Sequence, residues 1–266
     1  MTAPIANMEK YNKEMVKSLV DKIAFIDKVD ADVFVDFGCA DGTLLGFIKK
    51  LFPQYILIGY DNDPEMIELA KANPDNDGII FTMDWAEVET LVSDEKKRGH
   101  QACVVLSSVL HELHSYLTDQ EMTGVWDKIW STGDKGKLFA YVAIRDMMVS
   151  RTTSRASDPM QVARIRQLFD MNKLNQWEAI WGSINENWSL THFLLTYRYT
   201  HSWDREAEEN YLPVNYEDFM ASIPAHYFPI FMEHYTLPFL RRCVQKDFGF
   251  DLSDRTHLKL VLELRD

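Results

Sequence analysis

The sequence predicts an α/β fold, a mostly parallel sheet with helices on both faces. Three observations carry that expectation. Short apolar runs of strand length recur along the first half of the chain, stretches with helical spacing separate them, and turn residues punctuate the changes. Connections in such sheets are right-handed, and ligands sit beyond the carboxyl ends of the strands where the strand order reverses.

Residues 5–27 carry Met8, Tyr11, Met15, Leu19, Ile23 and Ile26 at helical spacing and predict an amphipathic helix. Val33–Phe37 reads as the first strand, and Thr43–Leu51 as a helix that Pro53 stops. Ile56–Tyr60 is the second strand. Asp63 is placed to cap a helix running to about Ala72, with Pro64 in its first turn. Residues 79–81, 102–106 and 137–144 supply the third to fifth strands, and Asp119–Trp130 is a helix. The alternation stops after Arg145. Residues 147–214 read as helical and rich in tryptophan (Trp177, Trp181, Trp188, Trp203), with 203–209 as a solvated helix. A short helix at 216–223 and strands at Tyr227–Tyr235 and His257–Leu264 then resume the sheet pattern. The expected organisation is a core over 1–146, a helical insertion after the fifth strand over 147–214, and the rest of the core over 215–266.

Composition bounds the function. The 266 residues suffice for one large domain with an insertion, and 46% hydrophobic with 26% charged residues is an ordinary globular balance. A formal net charge of -13 argues against a broad electrostatic grip on nucleic acid. Cys39, Cys103 and Cys243 are odd in number and far apart, so neither a disulfide framework nor a CxxC metal pair is expected, as befits a reducing cytoplasm. No secretory pattern opens the chain, and no apolar run approaches the roughly 20 residues a bilayer requires. A soluble, cytoplasmic protein without a membrane partner is expected.

The first strand runs into Gly38-Cys39-Ala40-Asp41-Gly42. Glycines there let a ligand approach the backbone, and the following helix start offers amides to a polar group. Asp61 ends the second strand about 20 residues on, where a carboxylate accepts from both hydroxyls of a ribose. Met83-Asp84-Trp85 ends the third strand, pairing an acceptor for an adenine amino group with a hydrophobe for the ring. The fourth strand ends in Ser107-Ser108-Val109-Leu110-His111-Glu112, small polar residues at a strand tip.

These residues resemble class I S-adenosylmethionine-dependent methyltransferases. Val35-Asp36-Phe37-Gly38-Cys39-Ala40-Asp41-Gly42 resembles motif I of that family, and Gly59-Tyr60-Asp61-Asn62-Asp63-Pro64-Glu65-Met66 its second-strand motif. Phe81-Thr82-Met83-Asp84-Trp85 is similar to the adenine-contacting motif, and residues 104–111 to the fourth-strand motif. The resemblance covers about residues 32–146. It implies a Rossmann-like seven-stranded sheet with an antiparallel last strand, and S-adenosyl-L-methionine as cofactor. By resemblance Gly38, Cys39 and Ala40 contact the methionine part, Asp61 the ribose, and Asp84 and Trp85 the adenine. Asp36, Gly42, Asn62, Met66, Met83 and Ser107 complete the expected set. Ala40 departs from the pattern, standing where the family often has a third glycine.

The resemblance implies methyl transfer, an in-line displacement in which the protein aligns the nucleophile and, where needed, removes its proton. His111 and Glu112, just past the fourth strand, are the expected general-base candidates. His111-Glu112-Leu113-His114 differs from a zinc helix of the HExxH type, because its histidines are three apart and no third ligand is identifiable; no metal is expected. The insertion is the expected acceptor-recognition region for a small or medium-sized acceptor. Six basic residues (Arg145, Arg151, Arg155, Arg164, Arg166, Lys173) outnumber three acids between 145 and 173, and can attract an anionic acceptor. Alternatives are an RNA or protein methyltransferase using that basic segment, and a non-catalytic cofactor-binding interaction protein. A nicotinamide dehydrogenase is a weaker rival, since the turn lacks G-x-G-x-x-G.

Overall fold

The computed structural model describes residues 18–130 and 137–265. Seven strands form one sheet: β1 Val33–Phe37, β2 Ile56–Tyr60, β3 Ile80–Thr82, β4 Ala102–Ser107, β5 Tyr141–Met147, β6 Tyr227–Tyr235 and β7 His257–Leu264. Their order is β3-β2-β1-β4-β5-β7-β6. All neighbours pair parallel except β7, which is antiparallel to both β5 and β6. The order reverses between β1 and β4, so the crevice of this fold lies beyond their carboxyl ends. The seven strands and the one reversed strand match the sequence expectation.

The helices are α1 Thr43–Leu51, α2 Pro64–Ala72, α3 Trp85–Lys97, α4 Leu110–Tyr116, α5 Asp119–Trp130, α6 Pro159–Leu168, α7 Met171–Trp181, α8 Asn187–Thr196, α9 Trp203–Glu206, α10 Tyr216–Ser222 and α11 Pro238–Phe248. Asp63 caps α2 as its sequence position predicts, accepting from the amides of Glu65 and Met66 with Pro64 in the first turn. β1, β4 and β5 are buried throughout except for the tip of β4, as strands covered on both faces must be. One core, including Val35, Val104, Val142 and Leu260, fills one face; the other face packs Phe34, Leu45, Ile48, Val105 and Val261. A third core unites α6, α7 and α8 with α11, through Ile165, Trp177, Phe193, Leu240, Val244 and Phe248. The helices after β5 therefore share their interior with the helix that joins β6 to β7. Among the described residues no helix is long and apolar enough to cross a membrane.

Three elements depart from expectation. Of the helix expected over 5–27, residues 5–17 lie outside the described residues. The remainder is one helical turn, Leu19–Lys22, and a 3-10 turn, Ile26–Lys28. The bend between them buries Phe25 and Ile26, and sets the Phe25 ring 5.8 Å from Phe34. β5 starts and ends later than 137–144 because its charged end, Arg145-Asp146, continues in the ladder opposite Lys259 and Leu258. Apolar patterning discounts charged residues, yet both are buried and paired. The segment 203–209 is not solvated: Glu206 and Glu209 are 3% and 2% exposed. Tyr211 donates to Glu206, and Tyr116 and Arg205 donate to Glu209 at 2.7 and 2.9 Å.

Candidate functional site at the strand-order reversal

The turn after β1 holds three residues at positive φ: Gly38 (79°), Ala40 (46°) and Gly42 (75°). The Gly38 and Cys39 amides both donate to the Tyr60 carbonyl, at 2.8 and 3.0 Å, which ties the turn to the end of β2. A Cβ on Gly38 would sit 2.5 Å from Val109, and one on Gly42 2.5 Å from Asn76 and 2.6 Å from Phe81. The space beside both glycines is thus filled by the protein's own side chains. They let the turn pack tightly as well as bend. The Cys39 side chain is buried in the core.

Asp61 stands at the tip of β2. Its Oδ2 accepts from the Ala40 amide at 2.8 Å, and its Oδ1 from the Asp63 amide at 3.0 Å. Burial pushes its carboxyl up, against those amides, which favour the charged form. The Asn62 amide also favours the charged form, and the carboxylate keeps some acceptor capacity for a ligand hydroxyl. Asp36, one residue from the end of β1, is buried, and desolvation raises it to about 7; Asp61 adds to that rise and Lys22 opposes it. Lys22, carried in by the turn Leu19–Lys22, is 5% exposed and lowered to about 8 by burial and by Arg145.

At the tip of β3, Asp84 caps α3 by accepting from the Ala86 amide at 2.9 Å and remains exposed. Trp85 is buried, its ring 5.4 Å from Phe37 and 5.2 Å from Tyr60. Its faces are committed to the core, and the exposed hydrophobe at this tip is Met83, at 46%. Asn62 is exposed and Met66 half-buried at the start of α2. At the tip of β4, Ser107 Oγ is buried without a hydrogen-bond partner among the described residues. Ser108 has a positive φ of 59°, and its hydroxyl accepts from Arg145 at 2.7 Å.

Beyond that tip, α4 brings His111 onto Asp146 of β5. Nδ1 of His111 lies 2.9 Å from Asp146 Oδ1, and the same carboxylate accepts from the amides of Leu110 (2.7 Å) and Met147 (2.8 Å). Burial opposes ionisation of Asp146, yet His111 and the amides hold its carboxyl below the usual range. Burial disfavours the imidazolium of His111, but the charge and hydrogen bond of Asp146, together with Glu112 and Glu209, outweigh it, so its pKa is raised. The ring stacks on Tyr211 at 4.9 Å. Glu112 is half-buried, 4.0 Å from His111 Nε2 and 3.8 Å from Arg205. His114, raised with His111 as part of the zinc-helix comparison, does not join this group.

The structure therefore brings Asp36, Gly38, Ala40, Asp61 and Ser107 to neighbouring strand tips, with His111 and Glu112 at the start of the next helix. Patterning missed Lys22, Asp146, Arg205, Glu209 and Tyr211. Only Asp146 left a signal, a carboxylate inside an apolar strand run; the others arrive from distant segments. The basic residues between 145 and 173 are engaged internally. Arg145 pairs with Asp21, Arg151 with Asp218, Arg155 with Asp254 and Arg166 with Glu178. Arg164 and Lys173 donate to the Phe248 and Thr200 carbonyls.

No protein-family model and no curated protein sequence matches the chain. Solved structures do. The methyltransferase domain of bacterial CtHen1-C aligns over 93% of this chain and 97% of its own, with 13% identity and a TM-score of 0.50. A SAM-dependent methyltransferase from Anabaena variabilis covers 100% of this chain and 98% of its own, at 13% identity and a TM-score of 0.48. At such identity the likeness speaks to fold, and the chain has the Rossmann-like fold of class I methyltransferases.

Proposed function

We propose that the protein is an S-adenosyl-L-methionine-dependent methyltransferase acting on a small or medium-sized acceptor. The observation that carries this reading is the joined turn at the strand-order reversal, in which Asp61 binds the Ala40 amide and so fixes the β1 turn against the β2 tip. The residues fit the cofactor. Asp61 retains acceptor capacity for ribose hydroxyls, Met83 and Asp84 offer an exposed hydrophobe and carboxylate for the adenine, and Ser107 Oγ is a buried polar atom with no partner among the described residues. Asp36, the Gly38–Ala40 backbone and Gly42 would surround the methionine end, with Asn62 and Met66 beside the ribose and adenine.

The cofactor supplies a methyl group on a sulfonium, so the protein's task is alignment and, for a hydroxyl or amine acceptor, proton removal. His111 and Glu112 are assigned that second task. Asp146 fixes the imidazole so that Nε2 is the nitrogen turned to the acceptor side. The helices over 147–214 would wall the acceptor. Their cations are bound to carboxylates and carbonyls, which disfavours the RNA reading and weakens the case for an anionic acceptor.

The test is incubation with methyl-labelled S-adenosyl-L-methionine and cell extract fractionated into small molecules, protein and RNA. Label in the small-molecule fraction is expected. Label in RNA or protein would replace the acceptor class, and no label in any fraction would favour a cofactor-binding protein without transfer activity.

A further inference from the structure

We propose that His111, Glu112 and Glu209 form a site for one divalent metal ion at the acceptor side of the crevice. One ligand atom from each lies within 4.8 Å of the other two. The sequence offered only the first two; Glu209 arrives from the far end of the helical region and is 2% exposed.

Two independent features point to a cation. The first is the imidazole's orientation. His111 is 5% exposed, and Nδ1 is taken by Asp146, itself 1% exposed. Metal-binding histidines are held in this way, the second ring nitrogen donating to a carboxylate so that the other presents its lone pair. Nε2 makes no hydrogen bond among the described residues, and its neighbour Glu112 Oε1 is 4.0 Å away. That gap is too long for a hydrogen bond and close to the separation of two ligands on one ion. In a tetrahedral site, ligand atoms about 2.0–2.2 Å from the metal lie about 3.3–3.6 Å apart, so the three side chains would close by up to about an ångström to hold an ion.

The second feature is charge. Asp146, Glu112 and Glu209 bring three carboxylates; Arg205 lies 2.9 Å from Glu209 and 3.8 Å from Glu112, and Arg145 acts on Asp146. With His111 neutral, as a ligand must be, three carboxylates face Arg205 and the more distant Lys22, a surplus of negative charge that a divalent ion would reduce. Arg205 and the Tyr116 hydroxyl both engage Oε1 of Glu209, leaving Oε2 for the metal. Lys22 acts on this group from the crevice side, where Asp36 also faces it. Glu206, bonded to Tyr211, is raised to about 7 by burial and by Glu209, and so adds less charge.

One imidazole and two carboxylates suit manganese or zinc, and three protein ligands leave positions open for an acceptor oxygen. An ion there would make that oxygen more acidic; with His111 and Glu112 holding the cation, neither would take the proton, which would pass to solvent water. The site itself does not depend on the methyl-donor reading; its use in catalysis rests on that reading.

The test is titration of the metal-free full-length chain with Mn²⁺, followed by electron paramagnetic resonance and calorimetry, in the absence of cofactor. One ion per chain is expected, with affinity falling at least tenfold in Glu209→Gln and in Glu112→Gln. Glu112 is half-exposed, so its variant serves if the buried one fails to fold, and circular dichroism reports folding of both. No stoichiometric binding by the wild type, or binding that folded variants retain unchanged, overturns the site. Binding of S-adenosyl-L-homocysteine, measured separately in chelator, reports on the methyl-donor reading alone.

Discussion

The amide of Ala40 donates to Oδ2 of Asp61 across 2.8 Å, joining the tips of β1 and β2. This bond stands where the chain has alanine in place of an expected glycine, and it holds a non-glycine residue at a φ of 46°. A left-handed alanine costs roughly 1–2 kcal/mol, about what one charge-assisted hydrogen bond returns. Asp61→Ala is expected to weaken S-adenosyl-L-methionine binding about 10- to 100-fold by calorimetry. Ala40→Gly should leave stability within about 1 kcal/mol of wild type, since relief of strain offsets added chain entropy. Ala40→Val should cost more than about 1 kcal/mol in urea unfolding.

His111 and Asp146 lead to a separation of binding from turnover. His111→Ala should lower the rate of methyl transfer by about 100-fold or more, while cofactor affinity stays within about threefold. Parallel calorimetry and single-turnover kinetics measure the two. Equal turnover would remove His111 from the reaction, and a matching loss of cofactor affinity would make its role structural.

Asp36 sets a pH dependence of stability. Its carboxyl is raised from 3.8 to about 7 in the folded chain, chiefly by burial. The folded state therefore keeps a proton between about pH 4 and 7 that the unfolded state has released. The stability linked to that proton is fully present below about pH 4 and is lost as pH rises through 7. Asp36→Asn removes this loss. Thermal unfolding at pH 5 and pH 8 should show the variant gaining on wild type at the higher pH, by up to a few kcal/mol. A constant difference would contradict the buried, protonated carboxyl.

Much of the sheet was legible because its signals are local. Val33–Phe37, Thr43–Leu51 and Pro64–Ala72 announce themselves by apolar runs, spacing and the Asp63-Pro64 cap. Four motif-like segments in order then placed the crevice. What stayed hidden depends on long-range pairing. Arg145 and Asp146 end a buried strand as charged residues because Asp21 and His111 await them. Glu206 and Glu209 read as solvent charges from sequence alone, since nothing nearby reveals the tyrosines and Arg205 that satisfy them. Trp85 fits an adenine contact by position, but the aromatic neighbours that draw it into the core lie on β1 and β2.

The proposed function stands on binding of a methyl donor by the Gly38–Gly42 turn and Asp61. Calorimetric titration of the full-length chain with S-adenosyl-L-homocysteine, alongside NAD⁺ as the competing nucleotide, tests it most directly. One S-adenosyl-L-homocysteine is expected to bind per chain, lost or strongly weakened in Asp61→Ala, with no NAD⁺ binding. Absence of S-adenosyl-L-homocysteine binding, or NAD⁺ binding that depends on Asp61, would contradict it.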